Sequence, residues 1–496
     1  MTQKRISISS LMLGMLGAFI GGAAFAQFDP QSTIVVKAHE LYIGNGEVIG
    51  GGMLLIENGR IAKVGADLTP PAGATVIEVP QGTITPGLID ANASVDGSDA
   101  MMVGDAGRAS DPSEALRRFF DPRHDHRHVH RGPDCCGSRC PLSYQHVAET
   151  KCPMCGFPDA SPGPLALGVR PFVSLTEESS EVIPYTRVID SVNLRSPDFD
   201  RLLGEGVTTV FVAPDSASVI GSRGAIVRTG GAMGDRVVRE ADAVKASLGT
   251  DPSWRGTRNA LPYGPFVTFH SRRPTTRMGV TWVFRKAMYD TKTHEKGQPT
   301  HGADTPSEEA MKVLADVLAG KVPLRIQARM QHDILTALRL TEEFGLSFTL
   351  EEGTEAQLCT EELKSRGVPV IYGPIYVEAQ GYRARSTETD RARFYTMKAL
   401  IDAGIPTALS AQELRDENGL ARQAMYAIRY GVSPADVTRS VTATPAKLLG
   451  LGEQIGTLEP GKRADVVLWS GEPFDGASKP LVVLIGGKIV LDRRRG

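Results

Sequence analysis

The 496-residue chain has little excess charge of either sign, with a formal net of −2 and no basic block apart from Arg493-Arg494-Arg495. A phosphate-backbone binder needs a cationic face, so no nucleic-acid partner is expected. After the N-terminus the chain also lacks any apolar run long enough to span a bilayer, and it shows no internal repeat. Cysteine and histidine are scarce outside one stretch. Five of the six cysteines fall between Cys135 and Cys155, and five of the ten histidines between His124 and His146. What is abundant is ordinary: 41% apolar and 23% charged residues describe a globular chain with a large core and exclude disordered and fibrous classes. The length admits two or three average domains or one α/β barrel with insertions.

Lys4-Arg5 precede an apolar run from Ile6 to Phe25, which closes on Ala24-Phe25-Ala26 before Gln27. A charged start, a short apolar centre and a small-x-small end make residues 1–26 a bacterial-type secretory signal; a retained anchor is the rival reading. The expected location is periplasmic or secreted. Cleavage removes two positive side chains and no carboxylate, leaving a mildly acidic protein with no membrane span.

From 27 to 85 the text reads as short strands, including Ile34–Lys37, Met53–Ile56 and Ile61–Val64. Asn58-Gly59 between the last two supplies the positive φ values of a two-residue hairpin. Residues 451–496 carry a matching piece, Ala464–Trp469 and Leu481–Val490, so both termini are expected to build one small composite β-sandwich domain. Between them, over 86–450, apolar strands alternate with helical spacers: Ile84–Ala91, Val207–Val212, Leu324–Ala328, Leu346–Leu350, Val368–Tyr372 and Ile405–Ser410. That alternation predicts an α/β fold, a (β/α)8 TIM-like barrel. Helices are expected over Asp333–Phe344, ending at Gly345, and near Met278–Lys292.

Pro86-Gly87-Leu88-Ile89-Asp90-Ala91-Asn92-Ala93-Ser94, Thr442-Ala443-Thr444-Pro445-Ala446-Lys447-Leu448-Leu449-Gly450 and Leu458-Glu459-Pro460-Gly461-Lys462-Arg463-Ala464-Asp465 together resemble the amidohydrolase superfamily, most closely its imidazolonepropionase-like branch. The resemblance implies metal-dependent hydrolysis of C–N bonds other than peptide bonds, in cyclic amides, with one or two ions at the carboxyl ends of the strands. It also implies a His-x-His pair on the first strand, where this chain has Asn92 and Ser94. Later ligand positions fall on Gln327, Arg329, Glu352 and Gln412. Neutral amides and a hydroxyl are weak donors beside imidazole. Loss of one acid/base group alone costs about 10²–10⁴ in rate. The expectation is therefore a metal-poor pocket in which Arg329 pairs with Glu352 or Asp90. The counter-reading is a carboxylate site for Mg²⁺ or Ca²⁺ made by Asp90, Glu351, Glu352 and Glu413.

An insertion at 110–165 has no counterpart in ordinary relatives. It holds His124, His126, His128 and His130, then Cys135, Cys136 and Cys140, then Cys152-Pro153-Met154-Cys155-Gly156. A Cys-Pro-x-Cys-Gly turn sets two thiolates on one side of an ion, and Cys140 with Cys136 or Cys135 could complete a zinc site. Disulfides are the rival in an exported protein. The alternating histidines are either a pliable transition-metal site or a solvated loop. Cys359, alone in the barrel region, reads as a packing residue. Three functional readings stay open: an exported pseudoenzyme with a zinc-ribbon-like insertion, a working hydrolase with a rearranged metal site, and a non-catalytic subunit. The last would pair with an intact relative; homo-oligomers and a small-molecule ligand are also compatible.

Overall fold

The computed structural model describes residues 33–95, 180–253, 274–302, 304–375, 388 and 394–494. The signal-like residues 1–26 and the insertion, with its cysteines at 135, 136, 140, 152 and 155 and its four alternating histidines, lie outside the described residues. In chain order the strands are β1 (Ile34–Tyr42), β2 (Val48–Gly50), β3 (Met53–Glu57), β4 (Arg60–Gly65), β5 (Thr75–Pro86), β6 (Leu88–Ala93), β7 (Val207–Val212), β8 (Ile220–Arg223), β9 (Ala225–Arg228), β10 (Val237–Arg239), β11 (Val244–Ser247), β12 (Leu324–Ala328), β13 (Thr349–Glu352), β14 (Val370–Tyr372), β15 (Thr407–Leu409), β16 (Val466–Trp469), β17 (Pro480–Ile485) and β18 (Lys488–Asp492).

The terminal strands join in one hydrogen-bonded sheet, ordered β18-β17-β16-β5-β1-β3-β4 with β2 on β1. Glu57 faces Arg60 across the hairpin, and Asn58 and Gly59 take φ of 52° and 76°. The two ends of the chain meet where β5 runs antiparallel to β16, Ile84 opposite Leu468. The Glu459–Arg463 turn docks on that hairpin: Ile61 N–H donates to Lys462 O at 2.9 Å and Ala464 N–H to Gly59 O at 2.9 Å.

In the barrel, β6 pairs with β7 in parallel, and β11 through β15 form a continuous parallel run. The third position departs from the expected eight parallel strands. There β9 is antiparallel to β7 and β8 antiparallel to β11. The cause is length, because segment 213–219 is shorter than the roughly dozen residues a parallel crossover requires. The expected strand Ile84–Ala91 also breaks at Gly87, where a Cβ would meet Thr208 Oγ1 at 2.1 Å. The ring closes through Ser94 N–H to Gln412 O at 3.3 Å.

The barrel strands are buried on both faces. Val244, Ala246, Leu324, Ile326, Leu350 and Val370 turn outward against helix residues such as Phe284, Leu314 and Ile334. Phe211, Ile371 and Ala408 turn inward with Ile89 and Ala91. The two expected helices run Arg277–Glu295 and Gln331–Phe344, the latter ending at Gly345 with φ 71°.

Candidate functional site

At the β6–β15 seam, Asp90 is fully buried and both its oxygens are engaged. Oδ1 accepts from Asn92 N–H at 3.0 Å and from the Ser410 hydroxyl at 2.6 Å, and Oδ2 accepts from Ala411 N–H at 2.9 Å. Burial pushes its pKa up, and those three donors oppose the shift. The Gln412 side chain donates to Gly373 O at 3.0 Å. Arg415, 5% exposed, ties the seam together by donating to Gln412 O at 2.6 Å and Ser94 O at 2.5 Å.

Arg329 dominates the adjacent rim. It follows β12, is 4% exposed, and grips Asp251 in a bidentate pair with both N···O distances at 2.8 Å. Its Nε donates to Glu352 at the end of β13, and Glu388 lies 3.6 Å away. Burial works to lower the guanidinium pKa, yet Asp251 and Glu352 raise it well above the ordinary value. Arg277 continues the chain of charges outward, pairing with Glu388 and with Asp333 at 3.0 Å. With its amide oxygen turned to Arg329, Gln327 accepts from Nη2 at 3.2 Å and donates to Leu248 O at 3.2 Å.

One layer deeper, Glu351 lies 3.2 Å from Lys245 Nζ and 2.5 Å from Arg325 Nε. Arg325 stacks its guanidinium 3.7 Å from the Phe211 ring centre and donates to Ala91 O. Burial lowers the Arg325 pKa, and Glu351 opposes that.

The structure thus brings Gln327, Arg329 and Glu352 together on one side and Asp90, Asn92, Ser94 and Gln412 on the other. Of the two partners expected for Arg329, the structure gives Glu352 and not Asp90, whose carboxylate is taken up by hydroxyl and backbone donors. The counter-reading is corrected. The four carboxylates Asp90, Glu351, Glu352 and Glu413 do not form one hard-ion site, since the first three answer to separate partners and Glu413 is exposed. Among the described residues, no group of three or more His, Cys, Asp or Glu is disposed to hold a metal ion. Sequence reasoning missed Asp251, Glu388 and Lys245; a usable signal existed only for Arg325, a charge set between Leu324 and Ile326 in an otherwise apolar strand. Cys359 is buried as expected, and burial pushes its thiol up to about 11.

Backbone at two of the ligand-type positions is unusual. Glu352 and Gln412 take φ of 69° and 55°, a left-handed conformation that costs non-glycine residues about 1–2 kcal/mol. Both lie where a strand ends and the chain turns across the barrel mouth.

Comparison with known proteins agrees with this architecture. The amidohydrolase family model matches residues 273–490. An amidohydrolase, tasK, from Hapsidospora irregularis is 24% identical over 66% of this chain, and an imidazolonepropionase from Maricaulis maris is 27% identical over 33%. The chain spans only 35% and 40% of the lengths of those two relatives. The crystal structure of an amidohydrolase from Thermotoga maritima superposes with a TM-score of 0.68 at 26% identity, covering 93% of this chain and all of that one. The chain is thus similar to the amidohydrolase superfamily in a fold shared nearly end to end with that structure, and in a family match that runs from the second half of the barrel into the terminal sheet.

Proposed function

We propose that this protein is an exported amidohydrolase-fold protein whose barrel centre is held by ion pairs instead of a catalytic metal ion, so that it binds or partners where its relatives hydrolyse. The observation that carries the reading is the engagement of Arg329. A buried guanidinium fixed by Asp251 and Glu352 is a permanent cation, and a dication beside it would meet repulsion and, among the described residues, no cluster of carboxylates disposed to hold it. The donors across the seam fit an ion no better: both oxygens of Asp90 already accept hydrogen bonds, and Gln412 offers an amide already committed to Gly373. The family's metal therefore does not fit these residues.

Zinc, on this reading, belongs to the insertion, held by Cys152 and Cys155 with Cys140 and either Cys136 or Cys135. The terminal strands form the sandwich domain, residues 1–26 direct export to the periplasm or medium, and the protein pairs with itself or with an intact relative. Elemental analysis of the protein purified without chelators tests this, beside a Cys152→Ser, Cys155→Ser variant. About one zinc that vanishes in the variant is expected, with no turnover of dihydropyrimidine, dipeptide or lactone substrates. Metal that persists in the variant, with turnover that is lost in Glu352→Gln, would establish a working hydrolase instead.

A further inference from the structure

Three of the chain's six asparagines, Asn45, Asn58 and Asn418, are followed by glycine. Such a pair can react with itself, because a glycine without a Cβ lets its own nitrogen approach the neighbouring carboxamide. The structure holds the three pairs differently. Asn418 closes a short 3-10 turn, in which its carbonyl accepts from Gln423 Nε2 at 3.0 Å and Gly419 N–H, the nitrogen that would attack, is tied to Asp416 O at 3.1 Å. Asn58 is fixed at φ 52° at the tip of the β3–β4 hairpin, where Gly59 O accepts from Ala464 N–H at 2.9 Å and a Cβ on Gly59 would meet Gly486 O at 2.7 Å. Asn45 lies exposed in the loop between β1 and β2, and among the described residues no acceptor engages Gly46 N–H. Its Oδ1 accepts from Glu47 N–H at 2.8 Å.

We propose that Asn45 is a site of spontaneous deamidation in the folded protein. Gly46 N gives up its proton to hydroxide and bonds to Asn45 Cγ, which places negative charge on Oδ1. Glu47 N–H already faces that oxygen, so its hydrogen bond strengthens as the charge develops. The Cγ–Nδ2 bond then breaks, Nδ2 leaves with a proton from water as ammonia, and a succinimide remains. Water adds to either ring carbonyl and opens the ring to aspartate or to isoaspartate, whose backbone is longer by one methylene. Each event adds one negative charge beside Arg439, whose Nη1 donates to Asn45 O at 2.9 Å and lies 2.1 Å from where a Cβ on Gly46 would sit. Arg439 belongs to the helix Pro434–Val441, so the modification falls on a contact between the terminal sheet and a barrel helix.

The test incubates the full folded chain in heavy-oxygen water at mildly alkaline pH and follows the three Asn-Gly peptides by mass spectrometry, with a parallel sample unfolded in urea. In the folded chain the Asn45 peptide should take up heavy oxygen about tenfold faster than the Asn418 peptide, the factor that freeing one amide hydrogen bond supplies, and faster than the Asn58 peptide. In urea the three rates should converge, because the difference lies in the fold and not in the dipeptide. Asn45→Ser keeps an oxygen that can accept from Glu47 N–H, so it should fold, and it should remove most of the acidic species that ion exchange resolves in the aged wild type. A folded chain in which Asn58 or Asn418 reacts first, in which all three react alike, or in which the acidic species persist undiminished in Asn45→Ser would overturn the proposal.

Discussion

Arg329 answers for the charge of its neighbours. Removing it as Arg329→Met leaves Asp251 and Glu352 buried without a counter-ion, a loss expected to cost about 3–5 kcal/mol at pH 7 in urea unfolding. A deficit far below that range would show that the two carboxylates find other partners. Glu205 gives a second residue-scale test. Its carboxylate, 8% exposed, accepts from Asp416 N–H at 2.5 Å and Leu420 N–H at 3.1 Å, and it packs so close to Gly419 that a Cβ there would sit 1.8 Å from Oε2. Burial raises its pKa from the ordinary 4.5 to about 7, against the pull of Arg415 and those two backbone donors. The folded state thus holds the proton more tightly than the unfolded chain. Its contribution to stability is full below pH 4.5 and is lost as pH rises through 7, by up to about 3 kcal/mol. Glu205→Gln should flatten the pH dependence of the melting temperature between 5 and 8, and a slope equal to wild type would show that Glu205 does not titrate there.

At the scale of elements, legibility followed local chemistry. The hairpin at Asn58-Gly59, the helix ending at Gly345 and the buried strands Val207–Val212 and Leu324–Ala328 could all be read from the chain, because turn residues and continuous apolar runs act within a few positions. The antiparallel third position could not, since it depends on the length of a connection between strands whose pairing is set across the barrel. The site was half legible for the same reason: Glu352 and Arg329 sit on recognisable strand ends, whereas Asp251 and Glu388 reach Arg329 from segments with no motif of their own. Gly345 permits a clean check of the local part. It takes φ 71° at the end of its helix, and a Cβ added there would meet nothing within 4 Å, so Gly345→Ala should cost only the backbone penalty, about 1 kcal/mol, in denaturant unfolding. A much larger loss would mean that the turn is gripped by contacts and not by its own conformation.

For the whole molecule, the decisive feature is that the terminal sheet shares its faces. Along β16 and β17, Val466, Leu468, Val482 and Leu484 enter the sheet's own core, while the alternate residues Val467, Trp469, Val483 and Ile485 enter the core of the barrel. The period-two alternation of a strand therefore couples two cores through one backbone. Trp469 is the largest side chain at that junction: it is 1% exposed, donates from Nε1 to Thr85 Oγ1 at 2.9 Å, and lies against Gly206, where a Cβ would meet the indole at 3.2 Å. Trp469→Phe removes the hydrogen bond and strands the Thr85 hydroxyl, at an expected cost of about 1–3 kcal/mol. Trp469→Ala adds a cavity between the two cores and should cost about 3–5 kcal/mol. If the shared sheet couples the cores, calorimetry of the wild type will show the sheet and barrel melting in one transition, and Trp469→Ala will move that transition down or split it. A wild-type trace with two separate transitions would mean that the barrel stands without the sheet, and the tryptophan would then be a packing residue of the barrel alone.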